Sequence, residues 1–316
     1  MKKPFFSVPQ ELHSLSNFLR VDPTRTSMLQ KRFAADIKRR FNFLKKMVRL
    51  FILERDALGI APRRSLVFLA EVPTNPMPRQ YEFLTDVQKI EAFNAWLQEQ
   101  IAQGVMSVPA GTDPTRPWTA EVIESAYRRG IINSFFAAQT AQLGIAAGLT
   151  EEGVSSFVRA AFAQPETMSK VLLLATRSFE QLKGFTAQMS SQLNLILAKG
   201  MVDGSSITDI AEEMTSKIEG MTQQRAMLIA RTEIIHAHAE GQLDAFKRLG
   251  VEELGVKAEW STAGDDRVCP LCGANEGKIF TIDEARGLIP LHPNCRCTWI
   301  PYTADAEKAI GVQSNQ

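Results

Sequence analysis

All four cysteines of this 316-residue chain fall between Cys269 and Cys297. A secreted disulfide scaffold is short and spreads its cysteines along its length, so the clustering points to a metal site rather than to cross-links. Cys269-Pro-Leu-Cys272 is followed, after 19 residues, by His292-Pro-Asn-Cys295-Arg-Cys297. A Cys-x-x-Cys turn delivers two thiolates to one ion, and zinc takes four tetrahedral nitrogen or sulfur ligands. The expected ligand set is Cys269, Cys272, His292 and Cys295, with Cys297 as the alternative fourth ligand. Residues two apart on a strand share a face, so Cys295 and Cys297 could both reach the ion and leave His292 outside. The expected role is structural. Short β-prone runs at residues 256–262, 278–282 and 296–302 surround the ligands, and a unit that small needs a staple to hold its shape.

A catalytic metal needs an open coordination position and a nearby base. Apart from His13 and His292, the histidines are His236 and His238. Two residues apart on a helix, they point about 200° apart and cannot share one ion. No H-E-x-x-H, phosphate-binding GxxxxGK[ST] or G-x-S-x-G pattern is present. Asp265, Asp266 and Arg267 precede the first cysteine pair and read as turn residues, the alternative being carboxylates that orient a metal ligand. Arg231 and Glu233 are expected to form ion pairs with neighbouring elements.

The rest of the chain is predicted to be mainly α-helical. From Ser27, apolar residues at Leu29, Phe33, Ile37, Phe41, Leu44, Val48 and Ile52 form the stripe of one long amphipathic helix. Residues 59–81 hold four prolines and read as a connector with a short strand at 65–70. Helical spacing returns at 85–103, at 118–143 with an interruption near Gly130, and at 151–200 with a break at Pro165. Two more helices, 205–219 and 222–249, are predicted to stop at Gly220 and Gly250. The fold class is therefore mainly α: an elongated helical region (1–186), a small α+β zinc-knuckle domain (187–302) and a short tail (303–316). A composition of 45% hydrophobic and 22% charged residues suits such a globular chain. The N-terminus lacks a signal peptide's unbroken apolar stretch, and no segment is apolar enough for a membrane span. A reducing cytosol is the expected site of synthesis.

The net charge of +1 conceals a split, because residues 1–64 carry +10 and the remainder −9. The cations concentrate on the first long helix, at Lys31, Arg32, Lys38, Arg39, Arg40, Lys45, Lys46 and Arg49, with only Asp36 and Glu54 interrupting the run. Such a surface either solvates an apolar seam or meets an acidic partner, which is nucleic acid or an acidic protein surface.

An ordered series of segments resembles the minor head, or head-morphogenesis, proteins of tailed bacteriophages related to phage Mu protein F. It comprises Ala230-Arg-Thr-Glu233, Lys257-Ala-Glu-Trp260-Ser-Thr-Ala, Asp266-Arg-Val-Cys269-Pro-Leu-Cys272, Gly277-Lys-Ile-Phe280 and Pro290-Leu-His-Pro-Asn-Cys-Arg-Cys297. Softer matches are Asp22-Pro-Thr-Arg-Thr26, Trp118-Thr-Ala-Glu121 and Ala126-Tyr-Arg-Arg-Gly130. The resemblance implies a low-copy, non-enzymatic virion component at the capsid interior or portal vertex, made in the host cytoplasm. Its implied partners are the portal protein, packaged double-stranded DNA, and scaffold or major capsid protein. Its implied roles are capsid assembly, DNA packaging or DNA ejection. The alternative is a zinc-knuckle, HNH-like nuclease, which needs a histidine base and a second metal site beside the knuckle.

Overall fold

The computed structural model describes residues 22–61, 85–108, 113, 115–140, 151–249 and 257–302. The protein is mainly α-helical with one small antiparallel sheet. In chain order the long helices are α1 (Ser27–Arg49), α2 (Asp86–Gln100), α3 (Ala120–Thr140), α4 (Glu151–Phe162), α5 (Pro165–Val202) and α6 (Ile207–Arg248). A π-helical turn extends α1 over Leu50–Glu54 and another extends α2 over Ile101–Val105. The C-terminal module follows as β1 (Lys257–Ser261), α7 (Pro270–Gly273), β2 (Ile279–Phe280), α8 (Ile282–Ala285) and β3 (Thr298–Tyr302). The predicted strand at 65–70 lies outside the described residues.

The chain forms two compact units, each discontinuous in sequence. Among the described residues, one comprises those within 1–33, 119–178 and 228–316, and the other those within 34–118 and 179–227. In the second, Ile37, Phe41, Leu44 and Val48 of α1 are fully buried, as their spacing predicts. Phe41 meets Phe185 of α5 at a ring distance of 4.8 Å, and Phe51 stacks on Trp96 of α2 at 4.0 Å. Thr85 starts α2 with a capping box, accepting from the Gln88 amide while its own amide donates to the Gln88 side chain.

In the first unit α6 is central. Every residue from 233 to 243 is buried, including the polar Glu233, His236, His238, Glu240 and Gln242. A predicted helix interruption and a predicted helix stop are corrected. α3 runs unbroken through Gly130, because this glycine lies where α3 crosses α6 and a side chain would strike the backbone of His238. α6 runs through Gly220, where the roughly 1 kcal/mol cost of a helical glycine is small beside the packing of a 42-residue helix. The break at Pro165 is real: α4 ends at Phe162, and proline opens α5, where its missing N–H costs nothing.

The N-terminal segment joins this unit through backbone carbonyls. Asn133 donates to the Thr24 carbonyl at 2.9 Å, and Arg129 to that of Arg25 at 2.9 Å. Asp22 accepts from the Ser27 amide at 2.8 Å and from the Thr24 hydroxyl at 2.7 Å, capping α1.

Candidate metal centre

The module forms on the C-terminal half of α6. In its sheet β1 is central, paired antiparallel with β2 and β3, and Trp260 lies opposite Trp299. The two indoles meet edge to face at 5.4 Å, and Phe280 contacts Trp299 at 5.7 Å. This aromatic face closes on Ile235, Ala239, Leu243 and Phe246 of α6 in one apolar core that also takes in Cys272, Cys295 and Cys297. A single buried side chain, Gln242, ties α6 to β3. Its amide group donates to the Trp299 carbonyl at 2.9 Å, and its oxygen accepts from the Thr298 hydroxyl and the Trp299 amide.

Against that core the five predicted donors converge. Cys269, Cys272 and His292 form one triad of close ligand atoms, and Cys272, Cys295 and Cys297 form a second, so Cys272 belongs to both. His292 Nε2 lies 3.0 Å from Cys269 Sγ and 3.1 Å from Cys272 Sγ. Cys272 Sγ lies 3.8 Å from Cys295 Sγ. Tetrahedral bonds of about 2.3 Å to sulfur place two sulfurs about 3.8 Å apart, so this edge has the dimension a four-coordinate ion requires. His292 Nδ1 donates to the Pro293 carbonyl at 2.8 Å, which leaves the Nε2 lone pair facing the sulfurs. Such a bond sets the ligating tautomer in metal-binding histidines.

The sulfurs are unequal. A hydrogen bond from the Cys272 amide, which Cys269 receives as N-cap of α7, lowers the Cys269 thiol below the usual range. Burial raises Cys272, and the neighbouring Cys295 adds to the rise. A hydrogen bond from Cys297 lowers Cys295, while that same partner and burial raise Cys297. Crowded thiols ionise together only if a cation shares their charge. Thiolate and imidazole donors suit a soft or borderline transition ion and not calcium or magnesium. The residues fit a bound metal.

Asp265 is more than a turn residue. It accepts from its own turn at the Arg267 amide, and it also takes two bonds from Arg296, at 2.8 and 2.5 Å. Arg296 stands between Cys295 and Cys297, so this pair clamps the loop bearing the second cysteines to the loop bearing the first. The hydrogen bonds from Arg296 hold the Asp265 carboxyl well below the usual carboxylate range. A second anchor was not legible in the sequence. Arg286, just after α8, reaches Glu240 at 3.1 Å and Asp244 at 2.8 Å on α6. Asp244 also accepts from Lys170 at 2.7 Å and from the Tyr127 hydroxyl. Burial would raise Asp244, but these partners outweigh it and hold its carboxyl low.

His236 and His238 lie away from the cluster on α6. His236 faces Arg177, and fully buried His238 accepts from Asn133 at 2.9 Å. Glu233 pairs with Arg177 at 3.7 Å as expected, whereas Arg231 donates to Gln30 at 3.3 Å and makes no ion pair among the described residues.

The basic helix is sorted by tertiary structure. The sequence shows few acids nearby, but Arg32 pairs with Glu121, Lys45 with Glu219, Arg39 with Asp36 and Arg49 with Glu54. Arg40 is half-buried, donating to the carbonyls of Val105 at 3.0 Å and Ser107 at 2.9 Å beneath the Trp118 ring. Lys31, Lys38 and Lys46 are exposed and make no ion pair among the described residues.

Long helices carrying a small sheet knit around a Cys/His cluster define a helical protein with a metal-knuckle module. Residues 191–300 match the family described as Phage Mu protein F like protein, so this part of the chain is similar to that family of phage proteins. The matched segment begins within α5, spans α6 and ends in β3, and it contains all five candidate ligands. No curated protein and no solved structure matches the chain. Among the described residues no helix is long and apolar enough to cross a membrane.

Proposed function

We propose that the protein is a low-copy structural component of a tailed-phage head, seated at the portal vertex or capsid interior, where it binds the portal protein during assembly. Zinc is the proposed ion, held by Cys269, Cys272, His292 and Cys295, or by the four cysteines with Cys297 in place of His292. It neutralises the thiolates and staples a module whose apolar core is too small to stand alone. The observation that carries this reading is the coincidence of the family match with the Cys/His cluster and with the α6 segment on which it is built. Roles in packaging or ejection of DNA, and contact with scaffold or major capsid protein, belong to the same proposal. No observation favours the nuclease alternative: His236 and His238 are buried in α6 and offer no base beside the cluster.

The test is capture of the tagged protein from infected or lysogenic cells. Recovery of portal protein at a stoichiometry below that of the shell subunit supports the proposal. Recovery of host proteins alone overturns it.

A further inference from the structure

The sheet of the C-terminal module has one face turned away from α6. Its side chains alternate, so Trp260, Trp299 and Phe280 join the core on α6 while Lys257, Glu259, Ile279 and Ile300 share the opposite face. Glu259 stands level with Ile279 on one side and Ile300 on the other, and the two isoleucines are 41% and 36% exposed. Lys257 is exposed and Glu259 half-buried, and neither makes an ion pair among the described residues. The charged groups around them are engaged. Glu276 accepts from the Thr262 amide at 2.7 Å, Glu284 accepts from the Thr281 amide at 2.9 Å, and Lys278 donates to Asn275 at 2.9 Å. Burial, with Glu276 adding to it, raises the Glu259 carboxyl above its usual range, as for a carboxylate that lacks a cation. The edges of the sheet offer little to an added strand. At β3 Gln242 takes both the N–H and the carbonyl of Trp299, and Pro301 has no N–H. At the other edge β2 is two residues long.

We propose that this face binds the same face of a second copy of the chain, sheet on sheet, about a two-fold axis. Lys257 and Glu259 are opposite charges two residues apart on one strand, about 7 Å. A two-fold axis lying between the sheets and crossing β1 at Ala258 sets Lys257 of each copy over Glu259 of the other. Both charges then gain a partner at once, which is the self-complementarity an isologous contact requires. The same axis brings Ile300 of each copy toward Tyr302 of the other, since Ile300 is level with Glu259 and Tyr302 with Lys257. Other occupants fit less well. A wholly apolar partner would bury both charges without counter-ions, and a purely basic or purely acidic one would satisfy one charge and repel the other. Three short strands cover about 17 by 10 Å, well below the roughly 800 Å² per partner of a standard interface. The contact is therefore weak and forms where copies are concentrated. The inference stands on the sheet and not on the portal reading: either can fail while the other survives.

The experiment is sedimentation velocity of the full chain, purified without chelator, from about 1 to about 500 μM, a range that brackets weak association. The expected result is a reversible shift from one copy to two. Lys257→Glu and Glu259→Lys each set like charges opposite one another and are expected to weaken association by roughly tenfold or more. The double variant Lys257→Glu, Glu259→Lys restores both pairs in exchanged form and is expected to return association to within about threefold of wild type. Ile300→Asp, which keeps both charges and removes apolar contact, is expected to leave the chain monomeric over the whole range. Wild type needs no substitution for a further check: raising salt to about 0.5 M is expected to weaken association by screening the two pairs. A wild type that stays monomeric overturns the proposal. So does association that neither single reversal nor salt weakens, and so does a double variant that associates no better than the single ones.

Discussion

Gly130 on α3 and Gly241 on α6 occupy one helix crossing, each facing the other helix's backbone. A Cβ on Gly130 would stand 2.1 Å from the His238 carbonyl oxygen, and one on Gly241 would stand 2.2 Å from that of Tyr127. Backbone cannot move aside as a side chain can, so α3 and α6 approach this closely only because both residues are glycine.

Alanine at either position is therefore expected to destabilise the protein by about 1–3 kcal/mol, since the helices must separate. Gly220→Ala is expected to act in the opposite direction, by up to about 1 kcal/mol, because nothing lies within 4 Å of the added methyl. Thermal melts of the three variants decide it. Equal losses at all three positions would refute the crossing argument.

Metal content is expected at about one zinc per chain in protein purified without chelator, and chelation is expected to lower the melting temperature. Cys272→Ser should lose the metal most completely, because Cys272 belongs to both triads. Comparing His292→Ala with Cys297→Ser, by elemental analysis or cobalt absorption, decides between the two ligand sets, because only the variant at a true ligand loses the metal. A metal-free wild type would end the zinc proposal.

Asp265→Asn removes the charge that holds Arg296 while leaving every candidate ligand in place. Supporting residues of this kind typically change metal affinity by about 10- to 100-fold. We expect roughly tenfold faster metal transfer to a competing chelator, with an unchanged cobalt spectrum. An unchanged transfer rate would show that the Asp265–Arg296 pair does not help hold the two cysteine loops together.

Burial keeps His236 and His238 neutral, with pKa values lowered to about 4 and about 3. Arg177 further lowers the first. Asp22 opposes the burial effect on the second, while Arg129 adds to it. The unfolded chain takes up protons at these residues near pH 6.5 and the folded chain does not, so stability falls as pH drops from 6.5 toward 4. Two such histidines lower stability by about 3 kcal/mol between pH 7.5 and 5.5. Glu233, whose pKa is raised by burial, acts with the opposite sign and offsets part of this loss. Chemical denaturation of His238→Gln and wild type at matched metal load isolates one proton of the slope. Identical pH dependence in the two proteins would refute the assignment.

The sequence by itself determined the helical class, the buried stripe of α1, the break at Pro165 and the five candidate ligands. These follow from local rules: apolar period, proline's missing donor and ligand spacing. Tertiary structure alone decided the rest, because it depends on atoms brought together from distant parts of the chain. Gly130 read as a helix interruption and Gly220 as a helix stop, yet one is a helix crossing and the other faces open space. Asp265 could be read from sequence as a turn residue or as a support for a ligand, and only the approach of Arg296, 31 positions on, to 2.5 Å shows that it clamps the two cysteine loops. The basic helix read as one continuous cationic surface, and only the approach of Glu121, Glu219 and the carbonyls around Val105 separated the charges that hold the fold from those left facing solvent.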